Sequence, residues 1–374
     1  MRGDDDAAGP TSRQEEVVLK SVWLKKLLKR TIFTDLVRDV FDGRHPFGVD
    51  ELPPDRIRSF GDANPDATFY VIWRDSLGSG FFSNFTQVLS HIQRAEELGM
   101  IPVVDFENFR TLYNEDAPIG GTRNAWEYYF EPVSPYPTAE VYRSRRVYFC
   151  TGDYPRGYTF ATNAAYREFL AGHIRMRPAV TERIAAYAGE FSGGDVLGIH
   201  FRGKEINTAP GHSFGPTPEQ VIRHADRLLD SCDLNRIFLV TEELRYVDIL
   251  TRRYGRRLFC TDAFRAAKVN NYNLNPRPHH RYLLGLEVLA DAELLSRSAA
   301  VLCSNTGVAN HAVRSGTGIR RVVCIYNGTN CRNHFLAHWM HGIRRCLPAR
   351  CGGLRDEAVE WSAEDLQSGF FPAV

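Results

Sequence analysis

The spacing of apolar residues predicts alternating strands and helices from about residue 68 onward. Residues 68–73 form a β-rich apolar run, and a helix opening at Ser83 repeats apolar side chains at i, i+3, i+4, i+7 and i+10. Gly99 stands where a helix-ending glycine is expected, and residues 101–105 read as the next strand. This is one strand–helix–strand unit. The following residues, 106–190, are less regular and rich in aromatic side chains.

A second alternating series begins near residue 195. The predicted strands are residues 196–201, 236–240, 257–261, 299–303 and 321–326, and the predicted helices are 217–229, 244–254, 280–296 and 307–314. The first of these helices opens with a capping box between Thr217 and Gln220, with Pro218 in its first turn. Alternating units of this length require parallel strands joined by crossovers, so the pattern predicts an α/β fold.

The pattern divides the chain into four segments. Residues 1–60 are predicted to be an extension, residues 61–190 and 191–345 two α/β domains, and residues 346–374 a C-terminal tail. Within the extension, residues 17–41 have the pattern of an amphipathic helix with a basic cluster. A helix packed on its domain with a solvated basic face is favoured there over one lying on a membrane surface.

Composition and hydropathy argue against a nucleic-acid-binding protein and against a membrane-spanning or secreted one. Among 374 residues there are 46 basic and 45 acidic side chains, a balance unlike the strongly basic domains that bind nucleic acids. No apolar run approaches the ~20 residues that span a bilayer, and the acidic N-terminus lacks the apolar core of a signal peptide. A glycan on the sequon at Asn84 would obstruct the first predicted helix. We therefore expect a cytoplasmic protein without a transmembrane segment, whose eight cysteines are reduced thiols.

Candidate chemistry lies where the strands end, because ligands of open α/β sheets bind outside the carboxyl ends of the strands. His200 and Arg202 end the first strand of the second series, and strand alternation points them the same way. A planar guanidinium in this place suits bidentate binding of a phosphate. The alternative is a structural arginine paired with a carboxylate such as Asp262 or Asp291.

Other strand ends carry weaker signals. Ser304, Asn305 and Thr306 precede a helix whose free N–H groups could bind an anion, although plain N-capping explains the same residues. Thr241-Glu242 and Thr261-Asp262 follow two further strands. Their acidic side chains could hold a ribose or a base edge, or cap the next helix. The aromatic run 126–130 favours a core position over a sugar-stacking platform.

Several enzyme classes lose support because their motifs are missing from the sequence. The glycine-rich turn at residues 78–84 does not match the GxGxxG pattern of dinucleotide-binding domains. The sequence has no P-loop, no HExxH, no GxSxG and no convincing metal triad. These absences weaken dehydrogenase, NTPase, metalloprotease and α/β-hydrolase interpretations.

The residues Gly198-Ile199-His200-Phe201-Arg202 resemble the HxR motif of GDP-fucose-dependent transferases. That family includes the nodulation and core α1,6-, the α1,2- and the protein O-fucosyltransferases. Further blocks resemble the family's acidic segments, its helix–strand–serine segment and its N-terminal glycine-rich turn. These blocks are Thr241-Glu242-Glu243, Thr261-Asp262, residues 280–305 and residues 80–84. They occur in the family's order between residues 68 and 330. Glu205 and Glu242 replace aspartates of the family pattern, and the proposed catalytic glutamate of the core enzymes has no clear counterpart near Pro210.

The resemblance implies a GT-B fold, with two Rossmann-like domains facing each other across a cleft. It implies an inverting transferase that moves fucose from GDP-fucose to a hydroxyl of a glycan, protein or small molecule, with neither metal nor other cofactor. The second domain would bind the GDP-sugar and the first the acceptor. Arg202 would stabilise the departing diphosphate. Glu205 and His212 are the candidates for the base. The implied donor-binding residues are His200, Arg202, Thr241, Glu242, Asp262, Arg281, Asp291, Ser304, Asn305, Thr306, Gly80 and Asn84.

Three alternatives stay open. The phosphate-binding residues do not name the sugar, so the donor could be another nucleoside-diphosphate sugar. A non-catalytic protein that binds sugar nucleotides or glycans would carry similar residues, although the candidate site here is complete. A sugar-nucleotide epimerase would share the two-domain architecture.

Overall fold

The computed structural model describes residues 57–76, 78–155, 159–267, 271–369 and Phe371. The chain divides into two compact units. The first holds the described residues up to 155 together with residues 271–285, and the second holds residues 159–267 and those from 286 onward. The amphipathic helix predicted at residues 17–41 lies outside the described residues.

The first unit is built on a four-stranded sheet in the order β1-β4-β2-β3. Its β2 lies between β3 and β4, parallel to both, and β1 is antiparallel to β4. The strand–helix–strand prediction is confirmed, and Gly99 has the positive φ of 64° expected of a helix-ending glycine. The elements are β1 (Ile57–Arg58), β2 (Phe69–Ile72), α1 (Phe81–Glu97), β3 (Ile101–Val104), α2 (Thr138–Val141) and β4 (Val147–Phe149).

Aromatic side chains form the core beside this sheet. Trp126, Tyr129 and Phe130 are buried, and Trp126 stacks on Phe85 of α1 with ring centroids 6.0 Å apart. The ring of Tyr282, from the later segment of the same unit, stacks on that of Tyr129 with centroids 5.8 Å apart. The Tyr129 hydroxyl donates a hydrogen bond to the backbone carbonyl of Tyr282. The run 126–130 is therefore core, as the sequence favoured.

The second unit is built on a six-stranded sheet in the order β10-β9-β8-β5-β6-β7. The five strands from β5 to β9 are parallel, and β10 closes one edge antiparallel to β9. The chain runs outward from β5 to β7 and then returns to the other side of β5. The strands are β5 (Val196–His200), β6 (Arg236–Val240), β7 (Leu258–Phe259), β8 (Ala300–Cys303), β9 (Arg321–Tyr326) and β10 (Glu357–Ser362). The direction of strand addition therefore reverses between β5 and β8, the point where doubly wound sheets bind their ligands.

Helices connect these strands in the predicted alternation. They are α3 (Asn163–His173), α4 (Pro178–Ala188), α5 (Pro218–Ser231), α6 (Leu244–Tyr254), α7 (His280–Leu295), α8 (Gly307–Ser315), α9 (His334–Arg345) and α10 (Ala363–Ser368). The predicted capping box at Thr217 begins α5. Gly198 lets the chain after α7 approach β5 closely, because a Cβ there would stand 2.4 Å from Ser298 Oγ. The two parallel-stranded units confirm the predicted α/β class.

The unit boundary differs from the boundary predicted near residue 190. Residues 159–190, assigned to the domain 61–190, belong to the second unit. They are held there by distant partners: the Tyr166 hydroxyl lies 2.8 Å from His311 Nδ1, and Asn163 Nδ2 donates to the Leu366 carbonyl at 3.0 Å. The helix α7 belongs to the first unit as far as Gly285 and to the second from Leu286. Contacts over such separations leave no local pattern.

The segment predicted as a C-terminal tail also contributes to the second unit. Its residues form β10 and α10, and β10 pairs with β9 along six residues. An edge strand covered in this way no longer offers its unpaired backbone groups to other chains.

Two sequence-level expectations concern membranes and modification. Among the described helices, none has both the length and the apolar character needed to cross a bilayer. The sequence has a second sequon at Asn327, and since Asn84 and Asn327 are both buried, neither amide can carry a glycan in the folded chain. All eight cysteines are free thiols.

Candidate active site

The carboxyl end of β5 places His200 and Arg202 at the point of strand reversal. Every residue of β5 is buried, so the chain can present charged groups only as it leaves the sheet. Phe201, between the two, is buried and stacks on Tyr246 of α6 with centroids 3.7 Å apart. This packing fixes the backbone on either side of Phe201, and with it the starting points of both polar side chains.

His200 connects β5 with the beginning of α8. It is buried, and its Nδ1 lies 3.1 Å from the hydroxyl of Thr306. Burial, reinforced by the charge of Arg202, lowers the pKa of His200 to about 3, so the imidazole is neutral near pH 7. The Thr306 oxygen already accepts from the backbone N–H of Ala309, so its own proton is available for Nδ1. His200 therefore positions the α8 terminus rather than supplying charge.

Arg202 lies at the same edge and remains partly open to solvent. Its side chain is 38% exposed, and its Nε stands 3.6 Å from Oε1 of Glu242, which follows β6. Arg202 thus does have a carboxylate beside it, as the structural alternative expects, but the carboxylate is that of Glu242 and not Asp262 or Asp291. Gly203 makes room for it, because a Cβ at Gly203 would stand 2.5 Å from the same Oε1.

The segment after β8 forms the opposite side of this edge. Thr306 caps α8 by accepting from Ala309, so the capping interpretation is confirmed for Thr306. Asn305 Oδ1 accepts from Asn310 Nδ2 at 3.1 Å. Ser304 is only 3% exposed, and its hydroxyl has no hydrogen-bond partner among the described residues. The N-terminus of α8 with its partial positive charge thus lies at the strand reversal, as an anion site requires.

Asp291 and Arg265 hold the chain segments that follow β6 and β7. Asp291 of α7 is buried and accepts from the Thr261 hydroxyl at 2.7 Å. Burial raises the pKa of Asp291 to about 6. Arg265 donates to the backbone carbonyls of Thr241 and Thr261 at 3.0 Å each, which ties the two strand ends together. Sequence reasoning missed Arg265, which stands in an irregular segment.

Asp262 is held by two side chains that the sequence did not indicate. Its Oδ1 accepts from Arg183 Nη2 at 2.7 Å and from the Tyr187 hydroxyl at 2.9 Å. Both donors come from α4, which lies in the region without a regular pattern. A signal was present, since Pro178 occupies the first turn and the buried Val180 and Ile184 are four residues apart.

Three predicted donor-binding residues belong to the first unit. Gly80 stands at the N-terminus of α1, where its φ of −68° and ψ of 164° are extended. Asn84 is buried, with Nδ2 3.5 Å from the Ser79 carbonyl. Arg281 is exposed and donates to the Leu112 carbonyl at 3.4 Å. Their assignment to the donor stays a prediction.

The two candidate bases follow Arg202 in the chain. Glu205 belongs to the 3₁₀ turn Lys204–Thr208, and its side chain is outside the described part of the structure. His212 is exposed in the next loop, where its carbonyl accepts from the Asn330 N–H at 2.8 Å. The choice between them stays a prediction. Within the described ranges, no three His, Cys, Asp or Glu side chains come together in a group that could hold a metal ion.

The chain was compared with known proteins. No protein-family profile and no characterised sequence matches it. Among solved structures it is similar to the fucosyltransferase NodZ from Bradyrhizobium, with 16% identity, a TM-score of 0.46 and coverage of 68% of this chain and 95% of that one. It is also similar to POFUT1 in complex with GDP-fucose (9% identity, TM-score 0.42, 69% and 98% coverage). A third match is a variant of Arabidopsis thaliana FUT1 in complex with GDP (10%, 0.41, 70% and 71%).

Proposed function

We propose that this protein is a glycosyltransferase whose second unit binds a nucleoside-diphosphate sugar at the strand reversal between β5 and β8. The observation that carries the proposal is the hydrogen bond between His200 and Thr306 at 3.1 Å. It joins the end of β5, where Arg202 stands, to the N-terminus of α8. A permanent cation and a helix N-terminus are thereby brought to the place where doubly wound sheets bind nucleotides.

These groups suit the chemistry of glycosyl transfer. When the bond between the sugar and the diphosphate breaks, negative charge accumulates on the departing phosphate oxygens. Arg202 and the N–H groups at the start of α8 are fixed donors that stabilise this charge as it develops. An acceptor hydroxyl attacks the anomeric carbon from the opposite face and loses its proton to a base, for which Glu205 and His212 are the candidates. The configuration at that carbon is then inverted.

The donor we propose is GDP-fucose, and the acceptor a hydroxyl of a glycan, protein or small molecule. Support for this donor comes from the ordered motifs between residues 198 and 305 that resemble GDP-fucose-dependent transferases. A different nucleoside-diphosphate sugar would use the same Arg202 and the same helix terminus. The nucleotide and the fate of its sugar are therefore tested on the protein itself.

Thermal-shift and calorimetric titrations with GDP, UDP, ADP and TDP provide that test. A nucleotide at 100 times its Kd stabilises the folded protein by about 2.7 kcal/mol. We expect the largest shift with GDP, and tighter binding of UDP than of GDP would contradict the proposed donor. Incubation with GDP-fucose followed by mass spectrometry then separates the activities. A transferase hydrolyses the donor or glycosylates an acceptor, an epimerase changes the sugar, and a binding protein leaves it intact.

We propose that the reaction needs no divalent metal, because Arg202 and α8 supply the positive charge that a metal provides elsewhere. Turnover should therefore survive EDTA. Loss of all activity in EDTA, restored by Mn²⁺, would show that this part of the proposal is wrong.

A further inference from the structure

The outer face of α9 concentrates exposed apolar side chains. The described residues include ten large hydrophobic side chains that are exposed, and five of them lie between residues 335 and 347. Trp339 is 61% exposed and Ile343 is 55% exposed. The five are Phe335, Leu336, Trp339, Ile343 and Leu347. The four that lie in α9 are spaced by one, three and four residues, which gathers them on one side of the helix, and Leu347 follows its end. Single exposed hydrophobic residues are ordinary, but a contiguous group marks a surface that contacts something apolar.

This face is firmly built into the second unit. Ala337, on the inner side of α9, is fully buried, and its carbonyl accepts from Asn330 Nδ2 at 3.0 Å. Asn333 caps the helix through the N–H groups of Phe335 and Leu336. The guanidinium of Arg344 lies 5.4 Å from the ring of Phe214. The exposed side chains are therefore presented by an anchored helix.

The segment that carries this face has basic but no acidic side chains. Residues 331–355 contain five arginines and three histidines and neither aspartate nor glutamate. Arg332 and Arg350 are exposed at either end of the apolar group. Arg345 is also exposed, with an ion pair to the exposed Glu219 at 3.7 Å, and such surface pairs contribute little. An apolar stripe flanked by arginines is complementary to a surface with an anionic outer layer and an apolar interior.

This charge also argues against one covering segment within the chain. Residues 17–41 have apolar residues that could pack on α9, but they carry the basic cluster Lys20, Lys25, Lys26, Lys29 and Arg30. Like charges oppose that pairing. An anionic surface is complementary to both segments.

We infer that α9 binds the surface of an anionic lipid bilayer, lying in the interface with its apolar face among the lipids and its arginines at the headgroups. The geometry is that of an interfacial amphipathic helix with aromatic and aliphatic residues on one face and basic residues beside it. The inference is independent of the reaction proposed above.

Vesicle flotation of the full chain tests this inference. The protein should float with phosphatidylcholine vesicles that contain phosphatidylserine, stay behind with pure phosphatidylcholine, and be released by high salt. Trp339→Ser and Ile343→Ser should each weaken binding about tenfold or more, because each removes a large apolar side chain from the lipid. Arg332→Gln and Arg350→Gln should each weaken it about fivefold, and only on anionic vesicles.

Val359→Ser is the matched control, since Val359 is 46% exposed on β10, outside the segment 331–355. It should float like the unmodified chain. Equal flotation with neutral vesicles, or unchanged flotation of Trp339→Ser, would overturn the inference. So would a dimer in sedimentation velocity that Trp339→Ser converts to monomer, because a second copy would then occupy the face. GDP titration of the same variants separates this result from the proposed function, because none of these residues belongs to the nucleotide site.

Discussion

Each unit carries an arginine two residues beyond a strand that lies between two parallel neighbours, and the two arginines have different surroundings. Arg74 follows β2 of the first unit, and its side chain is 8% exposed. It donates to the hydroxyls of Ser79 and Ser83 and lies 3.7 Å from Asp153. Arg202 follows β5 of the second unit, is 38% exposed and has Glu242 at 3.6 Å. The same position relative to a strand thus yields a buried arginine with several internal partners in one unit and a partly solvent-exposed one in the other.

Two buried aspartates repeat this contrast. Asp105 directly follows β3, and its carboxylate accepts from two backbone N–H groups, from Asn108 Nδ2 and from the Tyr142 hydroxyl. Asp291 has one such side-chain donor, Thr261, and burial raises its pKa to about 6. Asp105 thus has four hydrogen-bond donors within the first unit, whereas Asp291 of the second unit has one and keeps a raised pKa. Residues held at a cost in stability are typical of functional sites.

The largest expected effect is that of Arg202→Ala on turnover. Removing one charged donor that acts on the departing group costs about 3–4 kcal/mol, or roughly 10²–10³ in rate. Since Arg202 is partly exposed, the melting temperature should hardly change. Arg202→Lys should recover only part of the activity, because it keeps the charge and loses the bidentate geometry. A destabilised protein with near-normal turnover would show that Arg202 is structural like Arg74.

Asp291→Asn should stabilise the protein at neutral pH. The pKa of Asp291 is raised from 3.8 to about 6 in the fold, so ionisation of this group costs about 3 kcal/mol at about 1.4 kcal/mol per pH unit. The protonated form is favoured by folding, so its contribution is complete below about pH 4 and is lost as the pH rises through about 6. The gain from Asn should therefore be absent near pH 4 and complete above pH 6 to 7. Urea unfolding across this range measures it.

Asp105→Asn is the control for that series. It should destabilise the protein, because an amide group would face donors that now share a carboxylate. A loss of about 1.5–3 kcal/mol is expected. If Asp105→Asn and Asp291→Asn changed the free energy of unfolding in the same direction, the proposed difference between these two buried carboxylates would be wrong.

Arg74→Ala should lower the free energy of unfolding by about 2 kcal/mol, because the partly buried hydroxyls of Ser79 and Ser83 lose a charged donor. The rate of GDP-fucose hydrolysis by the folded protein should not change. Chemical denaturation and a donor-hydrolysis assay on one preparation test both points. A loss of turnover at constant stability would give Arg74 the function that we assign to Arg202.

The smallest effect is expected from Thr306→Ala, which removes the N-cap of α8 and the partner of His200. The loss of a cap of this kind costs about 1 kcal/mol. Thr306→Ser keeps the hydroxyl and should unfold like the unmodified chain. Because the helix terminus is part of the proposed phosphate site, Thr306→Ala should also weaken GDP binding in calorimetry. If Thr306→Ala changed neither the free energy of unfolding nor the affinity for GDP, the proposed role of Thr306 at the start of α8 would be wrong.

Most elements of the second unit could be predicted from the sequence. The predicted strands at Arg236–Val240 and Arg321–Tyr326 and the predicted helix at Leu244–Tyr254 have the bounds found in the structure. Continuous apolar runs and helical spacing are local signals that survive in every environment. The same local rules located His200, Arg202 and Ser304 at strand ends, which is why the candidate site could be named before the fold was known.

The tertiary structure alone decided which strand ends meet. Sequence order does not reveal that β8 returns to the side of β5, and this placement brings Thr306 to His200 across 106 positions. It also gave Asp262 its partners on α4 and moved residues 159–190 into the second unit. The sequence by itself determined the local elements and the polar residues at their ends. The order of the strands and the distant partners of each charge were decided when the helices and sheets packed against one another. The free energy of this packing comes from contacts between residues far apart in the sequence, so no short segment encodes it.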